Sequence, residues 1–235
     1  YLTSWLTKNG FSTQLLNRYR KSEWLYSIGR GAWMRVGEKP TYQGAIYALQ
    51  KQANFSIHIG GKTALSLLGK LHYLELNKQQ IVLFGSSNEN LPTWFTNYNW
   101  GLKVIYYSTS FLPEKLGIQT LEENMFNLKI SNSIRALLEC LYLSPKKQQL
   151  LECYEIMEGL NNLRPKQTQD LLEQCKSIKV KRLFLYIAEK SGHGWFKYIN
   201  LENINMGKGK RSLAKNGVYI PNYGITVPKK LAEYE

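Results

Sequence analysis

Between Phe11 and Arg35 the chain carries a helix signal, two strand signals and a glycine turn in immediate succession, which leaves little freedom in how the segment folds. Ser12 is a good N-cap. Leu15, Leu16 and Tyr19 then recur at i, i+1 and i+4 and make one apolar stripe. Gln14, Asn17, Arg18 and Lys21 fall at i, i+3, i+4 and i+7 on the opposite face. Gln, Asn and Arg pair bidentately with base edges and Lys binds phosphate, so this face suits the major groove of DNA. An exposed amphipathic helix has the same pattern when it is merely solvated. The next residues favour the DNA reading. Trp24–Ile28 and Ala32–Val36 are rich in aromatic and branched residues, as strands are. Gly29-Arg30-Gly31 between them forms a turn that lifts one cation to the tip, where a minor groove or backbone would meet it. Arg35 lies further along the second strand. Before the helix, Ser4–Asn9 reads as another helix with Ser4 as its cap, and Gly10 suits a left-handed C′ position. Helix, turn, polar helix and Arg-tipped hairpin make a winged helix-turn-helix. The chain begins at Tyr1 without Met, and a winged helix domain has one more helix before this point, so that first helix is expected to be missing.

Charge supports this placement. The formal net charge is +14. Residues 1–52 hold 8 Lys and Arg against 2 acids, residues 53–175 hold 11 against 11, and residues 176–235 hold 12 against 4. An excess confined to the two ends points to a polyanion touched by both, with binding that falls steeply with salt. Hydrophobic residues at 43% and charged residues at 20% are those of a globular protein. No apolar run approaches the ~20 residues of a membrane span, and no membrane partner is expected. Cys140, Cys153 and Cys175 lie in helical stretches without metal-ligand spacing and read as reduced core thiols of a cytoplasmic protein.

The expected fold class is α+β: a winged helix-turn-helix followed by a mixed α/β and helical C-terminal domain. The boundary falls at residue 52. Tyr42–Gln52 reads as a helix that closes the first part, and residues 53–130 read as an α/β part, with strands at Phe55–Ile59, Ile81–Phe84, Val104–Ser108 and Phe126–Ile130 and a helix over Lys62–Leu68. Residues 131–190 read as helical, over Ser133–Leu143, Lys146–Leu160, Pro165–Cys175 and Val180–Lys190. Residues 191–235 form a basic tail with strands at Trp195–Ile199 and Ile225–Val227.

Motifs for catalysis are weak. Gly60-Gly61-Lys62-Thr63 resembles the end of a phosphate-binding loop, but Ser56 stands where the loop needs its first glycine, so a glycine turn with an exposed Lys62 is the expectation. Val82-Leu83-Phe84-Gly85-Ser86 has the strand-Gly-Ser opening of nucleotidyltransferases without the paired carboxylates that follow it there. Asp170 is the one aspartate of the chain. His58, His72 and His193 are dispersed and read as packing residues, and Glu152, Glu155 and Glu158 as a solvated helix face. No metal or cofactor is expected. Gly207-Lys208-Gly209-Lys210-Arg211 brings backbone amides and cations together and suits phosphate, with Lys176, Lys179, Lys181 and Arg182 extending the patch. A solvated basic loop, or an acidic protein partner, fits the same residues.

Several separated blocks resemble the AbiEi-type antitoxins: Leu6–Arg35, Tyr47-Ala48-Leu49-Gln50, Ile57–Leu65, Leu163-Arg164-Pro165, Val180–Leu185, Gly207–Arg211 and Tyr223–Pro228. They span nearly the whole chain. The resemblance implies a non-enzymatic antitoxin of a bacterial type IV toxin–antitoxin pair, linked to abortive phage infection. It implies that the winged helix domain binds inverted repeats of double-stranded promoter DNA and represses its own operon, with two copies binding cooperatively. It further implies antagonism of a nucleotidyltransferase toxin without a stable complex. On this reading Gln14, Asn17, Arg18, Lys21, Arg30 and Arg35 contact DNA, and Lys179, Lys181, Arg182, Lys208, Lys210 and Arg211 form a second basic patch. The alternatives are an RNA-binding protein and an enzyme that reverses the toxin's modification.

Overall fold

The computed structural model describes residues 1–71, 80–123 and 125–234, and the fold is α+β. Two compact units emerge, neither contiguous in sequence. The first combines Tyr1–Ile59, Leu76–Thr109 and Gln119–Ile130, and the second Gly60–Glu75, Ser110–Ile118 and Ser131–Glu235.

The first unit opens with helices α1 (Thr3–Lys8) and α2 (Thr13–Lys21), then the antiparallel strands β1 (Leu25–Gly29) and β2 (Ala32–Arg35). Leu6, Leu16 and Ala32 are buried together with Leu2 and form the small core of this part. The expected Ser4 cap is corrected: α1 starts at Thr3 and its cap position is Leu2, with no side-chain cap. The reason is tertiary. Leu2 bridges Ala32, the Thr3 amide donates to the Gly31 carbonyl at 2.9 Å, and the Trp33 amide to the Tyr1 carbonyl at 2.8 Å. Residues 1–3 thus lie along the other edge of β2, which delivers the chain into α1 before Ser4.

Helix α3 (Tyr42–Tyr47) is capped by Thr41 and continues as a wider π turn over Ala48–Gln52. The sheet behind it has the order β5-β4-β3-β7-β6. Its members are β3 (His58–Ile59), β4 (Gln80–Gly85), β5 (Lys103–Ser108), β6 (Ile118–Glu123) and β7 (Phe126–Ser131). Strand β4 runs parallel to β5 and antiparallel to β3, which runs parallel to β7. Ile81–Phe84 of β4 are all buried, as expected of a strand covered on both faces. The strand expected over Phe55–Ile59 shrinks to two residues, because Gln50 takes over the pairing ahead of it. Its buried side-chain amide donates to the carbonyls of Ile57 and Lys129 and accepts from the Lys129 amide at 2.8 Å. A side chain here does what one more residue of strand would do.

The second unit is mainly helical: α4 (Gly61–Leu67), α6 (Ser133–Leu143), α7 (Leu150–Glu158), α8 (Pro165–Gln174) and α9 (Ile178–Lys190), with α5 (Thr93–Asn97) belonging to the first unit. Asn132 caps α6 and Ser177 caps α9, while Pro165 occupies the first turn of α8. Helix α9 is buried continuously from Val180 to Ala188 and forms the axis of the unit. A charged cluster ties α6 to its neighbours. Glu139, fully buried, accepts from Arg135 Nε at 3.0 Å, Ser131 Oγ at 2.9 Å and the Gly61 amide at 2.9 Å. Arg135 also donates to the carbonyls of Pro113 and Leu116. A buried ion pair is tolerated only when its remaining hydrogen-bonding capacity is used in this way.

The tail forms a three-stranded sheet of order β8-β10-β9, from β8 (Arg211–Ser212), β9 (Val218–Ile220) and β10 (Ile225–Val227). The strand expected over Trp195–Ile199 is corrected to a 3-10 turn over Phe196–Tyr198. Trp195 is buried and donates its indole N–H to the Leu160 carbonyl at 3.0 Å, so its aromatic content serves packing and not a ladder.

Candidate nucleic-acid interface

Helix α2 is placed by its two ends. Gly10 adopts φ +88°, which lets the Phe11 amide reach back to the Leu6 carbonyl, and Ser12 Oγ accepts from the Leu15 amide at 3.2 Å. Arg18, Arg20 and Lys21 in the last turn complement the negative end of the helix. Leu16 anchors the inner face at 1% exposure, and Leu15 and Tyr19 flank it half-buried. Gln14, Asn17, Arg18 and Lys21 are all exposed and, among the described residues, none of these side chains has an intramolecular partner. At ~100° per residue the four span an arc of roughly 100°, a single stripe along the helix. Arg20, which the spacing argument passed over, is also exposed, on the flank of that stripe.

The hairpin follows as a wing. Its register pairs Leu25 with Arg35 and Ser27 with Trp33, then shifts so that Gly29 meets Ala32, leaving Arg30 and Gly31 at the tip. Gly29 has φ +148°, and a Cβ there would come within 2.7 Å of Trp94 Cβ and 3.0 Å of its Cα. Only glycine lets the base of the tip lie against α5. Arg30 is exposed, and Arg35 is exposed with its guanidinium 5.8 Å from the Tyr1 ring centroid. The exposed polar stripe and the tip cation therefore sit on adjacent elements of one small unit. Trp24, 70% exposed and stacked on Tyr19, joins the helix to the wing.

The second basic patch is divided by the structure. Arg182 is 5% exposed and donates to the carbonyls of Met206, Gly207, Gly209 and Gly224. Lys179 donates to the carbonyls of Tyr142 and Ser144, and its burial lowers its pKa. Lys181 is 3% exposed, and burial lowers its pKa too. The expectation that these three extend the phosphate surface is corrected: Lys179 and Arg182 are spent on backbone carbonyls, and Lys181 is enclosed. Lys208, Lys210 and Arg211 remain exposed. The two halves are linked mechanically. Arg182 gathers the loop carbonyls inward, Gly207 and Gly209 take φ +64° and +79°, and the lysines between and after them project outward. Lys210 lies over the exposed Tyr219 ring at 5.0 Å.

The weak catalytic motifs are occupied by the protein itself. The amide of Gly61, where a phosphate loop would offer its charge, is taken by Glu139, and Lys62 pairs with Glu152 at 2.5 Å. Glu152 also accepts from Gln148, so it is not a purely solvated residue. At the strand-Gly-Ser motif, the Ser86 amide donates to Ser56 Oγ, and Glu89 holds the amide and hydroxyl of Ser56. His58 is buried against Phe84, and His193 sits 2.8 Å from the Met157 carbonyl and stacks on Trp195. His72 lies outside the described residues. Cys140, Cys153 and Cys175 are buried free thiols, and burial pushes Cys153 up to about 12. Among the described residues no group of His, Cys, Asp or Glu could hold a metal ion, and no helix is long and apolar enough to cross a membrane.

No curated protein matches the sequence. The fold is similar to the crystal structure of the RV2827C protein from Mycobacterium tuberculosis, with a TM-score of 0.58 and 14% identity, covering 93% of this chain and 80% of that one. Residues 1–76 match the family model of the AbiEi antitoxin N-terminal domain, a transcriptional regulator. Residues 78–228 match the model described as transcriptional regulator, AbiEi antitoxin, type IV toxin–antitoxin system. The chain belongs to the AbiEi antitoxin family of type IV toxin–antitoxin transcriptional regulators.

Proposed function

We propose that this antitoxin represses its own operon by binding inverted repeats of promoter DNA, with residues 1–52 as the DNA-binding domain and residues 53–235 as the antitoxin domain. The observation that carries the reading is the exposed, unpartnered stripe of Gln14, Asn17, Arg18 and Lys21 beside a wing tipped by Arg30. The stripe enters the major groove, Arg30 meets the adjacent minor groove or backbone, and Arg35 contacts phosphate. Lys208, Lys210 and Arg211 form a second phosphate-contacting patch, while Lys179, Lys181 and Arg182 support it from inside. Two copies bind cooperatively on the repeats. The protein acts in the cytoplasm and opposes a nucleotidyltransferase toxin without forming a stable complex with it.

Fluorescence anisotropy of the full chain on its upstream DNA and on a scrambled duplex, across a salt series, tests this. Selective binding with a steep salt slope is expected. Equal, weak binding to both duplexes would reduce α2 to a solvated face. A second reading, RNA at the C-terminal patch, is favoured by the Lys210–Tyr219 pair, which offers a ring for a base beside a cation for phosphate. Tighter binding to single-stranded RNA than to duplex, lost in Tyr219→Ala, would select it.

A further inference from the structure

The first unit carries a half-open cavity of about 480 Å³ that none of the roles above uses. One wall is the wing, through Ile28, Ala32, Trp33 and Met34, and α3 with its π turn contributes Ala45, Tyr47 and Ala48. Trp94, Trp100 and Phe126 line it as well. The hollow is half open to solvent, and its size falls within the ~300 to ~1,000 Å³ of small-molecule sites.

The lining also specifies the chemistry. The indole N–H of Trp33 is spent on Thr3 Oγ1 at 2.8 Å and that of Trp100 on the Phe95 carbonyl at 2.7 Å. Thr41 Oγ1 accepts from the Gly44 amide and Gln52 Oε1 from the Leu2 amide. These contacts use the acceptors of Thr41 and Gln52 and leave the Gln52 side-chain NH2 and the Thr41 hydroxyl hydrogen as donors, while the rest of the wall is ring faces, edges and methyl groups. Trp94, 6% exposed, adds another donor: among the described residues its indole N–H has no partner. The charged groups of the lining, Glu38, Lys39 and the Tyr1 ammonium, all belong to exposed residues, and the ammonium already donates to the Trp33 carbonyl at 2.7 Å, so the deeper walls offer no charged side chain to a buried ion. Offset and edge-on packing against several rings is the contact such walls reward.

We propose that this cavity is a binding site for a neutral, planar aromatic small molecule, held between wing strand β2 and the indoles of Trp94 and Trp100. Because β2 forms one wall, the occupant rests directly on the hairpin that carries Arg30. The site stands on its own geometry and does not depend on the DNA reading.

The test titrates N-phenyl-1-naphthylamine, a neutral aromatic whose emission rises in apolar surroundings, into the full chain. Saturable binding of one probe per chain is expected, with quenching of tryptophan emission. Ala48→Phe, which fills the cavity from the π turn, is expected to weaken binding at least tenfold. Met34→Trp fills it from the half-buried wing position and decides the matter if Ala48→Phe melts early. Absence of saturable binding would overturn the site, as would undiminished binding in a folded Met34→Trp variant. Probe binding that weakens as protein concentration rises, with a dimer appearing in sedimentation, would overturn it by showing that a second copy closes the cavity.

Discussion

On α2 the side chains of Gln14, Asn17, Arg18 and Lys21 stand in solvent without partners among the described residues, whereas on α9 Lys181 and Arg182 are 3% and 5% exposed. By charge count the two ends of the chain are alike. Their cations differ in what they are available for. The short α2 buries one narrow stripe and leaves the rest of its circumference to water, so its basic residues are free to meet an external anion. Helix α9 is enclosed along most of its length, and a cation there must find acceptors inside. Arg182 does so on four carbonyls. Burial of this kind turns a charge into scaffold, and the scaffold presents Lys208, Lys210 and Arg211 on the loop it gathers.

The strongest way to break this comparison is Arg182→Leu. Four loop carbonyls lose their donor, and unsatisfied buried groups cost about 1–3 kcal/mol each. Allowing for carbonyls that reach water, a loss of about 3 kcal/mol is expected, and at ~2–4 °C per kcal/mol for a chain of this size the melting temperature falls by roughly 6–12 °C. A shift within 2 °C would show that Arg182 does not organise the loop. Arg18→Ala is the opposite case. Its stability is expected to stay within about 0.5 kcal/mol, while specific DNA binding weakens by about 1–3 kcal/mol. Equal losses on specific and scrambled DNA would make Arg18 a phosphate contact only.

Two smaller effects sharpen the comparison. Replacing Lys208, Lys210 and Arg211 together by Ala should leave the melting temperature unchanged and reduce the salt slope by ~0.9 for each phosphate no longer neutralised. An unchanged slope would remove this loop from the DNA interface. Lys181→Met should raise the denaturant midpoint slightly, because Met keeps the apolar stem and removes a cation that burial disfavours. The sign can be checked by pH. Burial lowers the pKa of Lys181 in the folded state, so over the window between that value and 10.5 the unfolded chain binds more protons. Stability of the parent protein at this site therefore rises with pH through the window, and the advantage of Lys181→Met shrinks. Denaturant midpoints measured from neutral to alkaline pH would show an advantage that stays constant if Lys181 is not disfavoured by burial.

Elements with strong local signals were legible as they stand. Ser133–Leu143 and Ile225–Val227 have the bounds that periodicity and flanking residues assign, and α2 begins where Ser12 caps it. Helix α5 and strand β6 went unread. The first is five residues long, and the second carries polar residues at most positions of a half-exposed strand, so neither has a period to detect. The pairing of Tyr1–Thr3 with the wing escaped notice for the same reason, being too short to carry a pattern. Of the basic residues, exposure on α2 followed from amphipathicity, while the second patch was only half legible. Lys179 and Lys208 look equally basic in sequence, and no local feature distinguishes a lysine that will face the carbonyls of Tyr142 and Ser144 from one that will face water.

The sequence by itself determined the polar helix, the glycine-turned wing and the placing of charge at both ends, because capping, periodicity and turn chemistry act within a few residues. Only the tertiary structure decided which cations are available, which segments make each unit, and that a cavity remains beneath the wing. Those depend on partners far apart in the chain, such as Arg182 with Gly224, Gly29 with Trp94, and Gln50 with Lys129. The desolvation that fixes their roles exists only once the chain has closed around them.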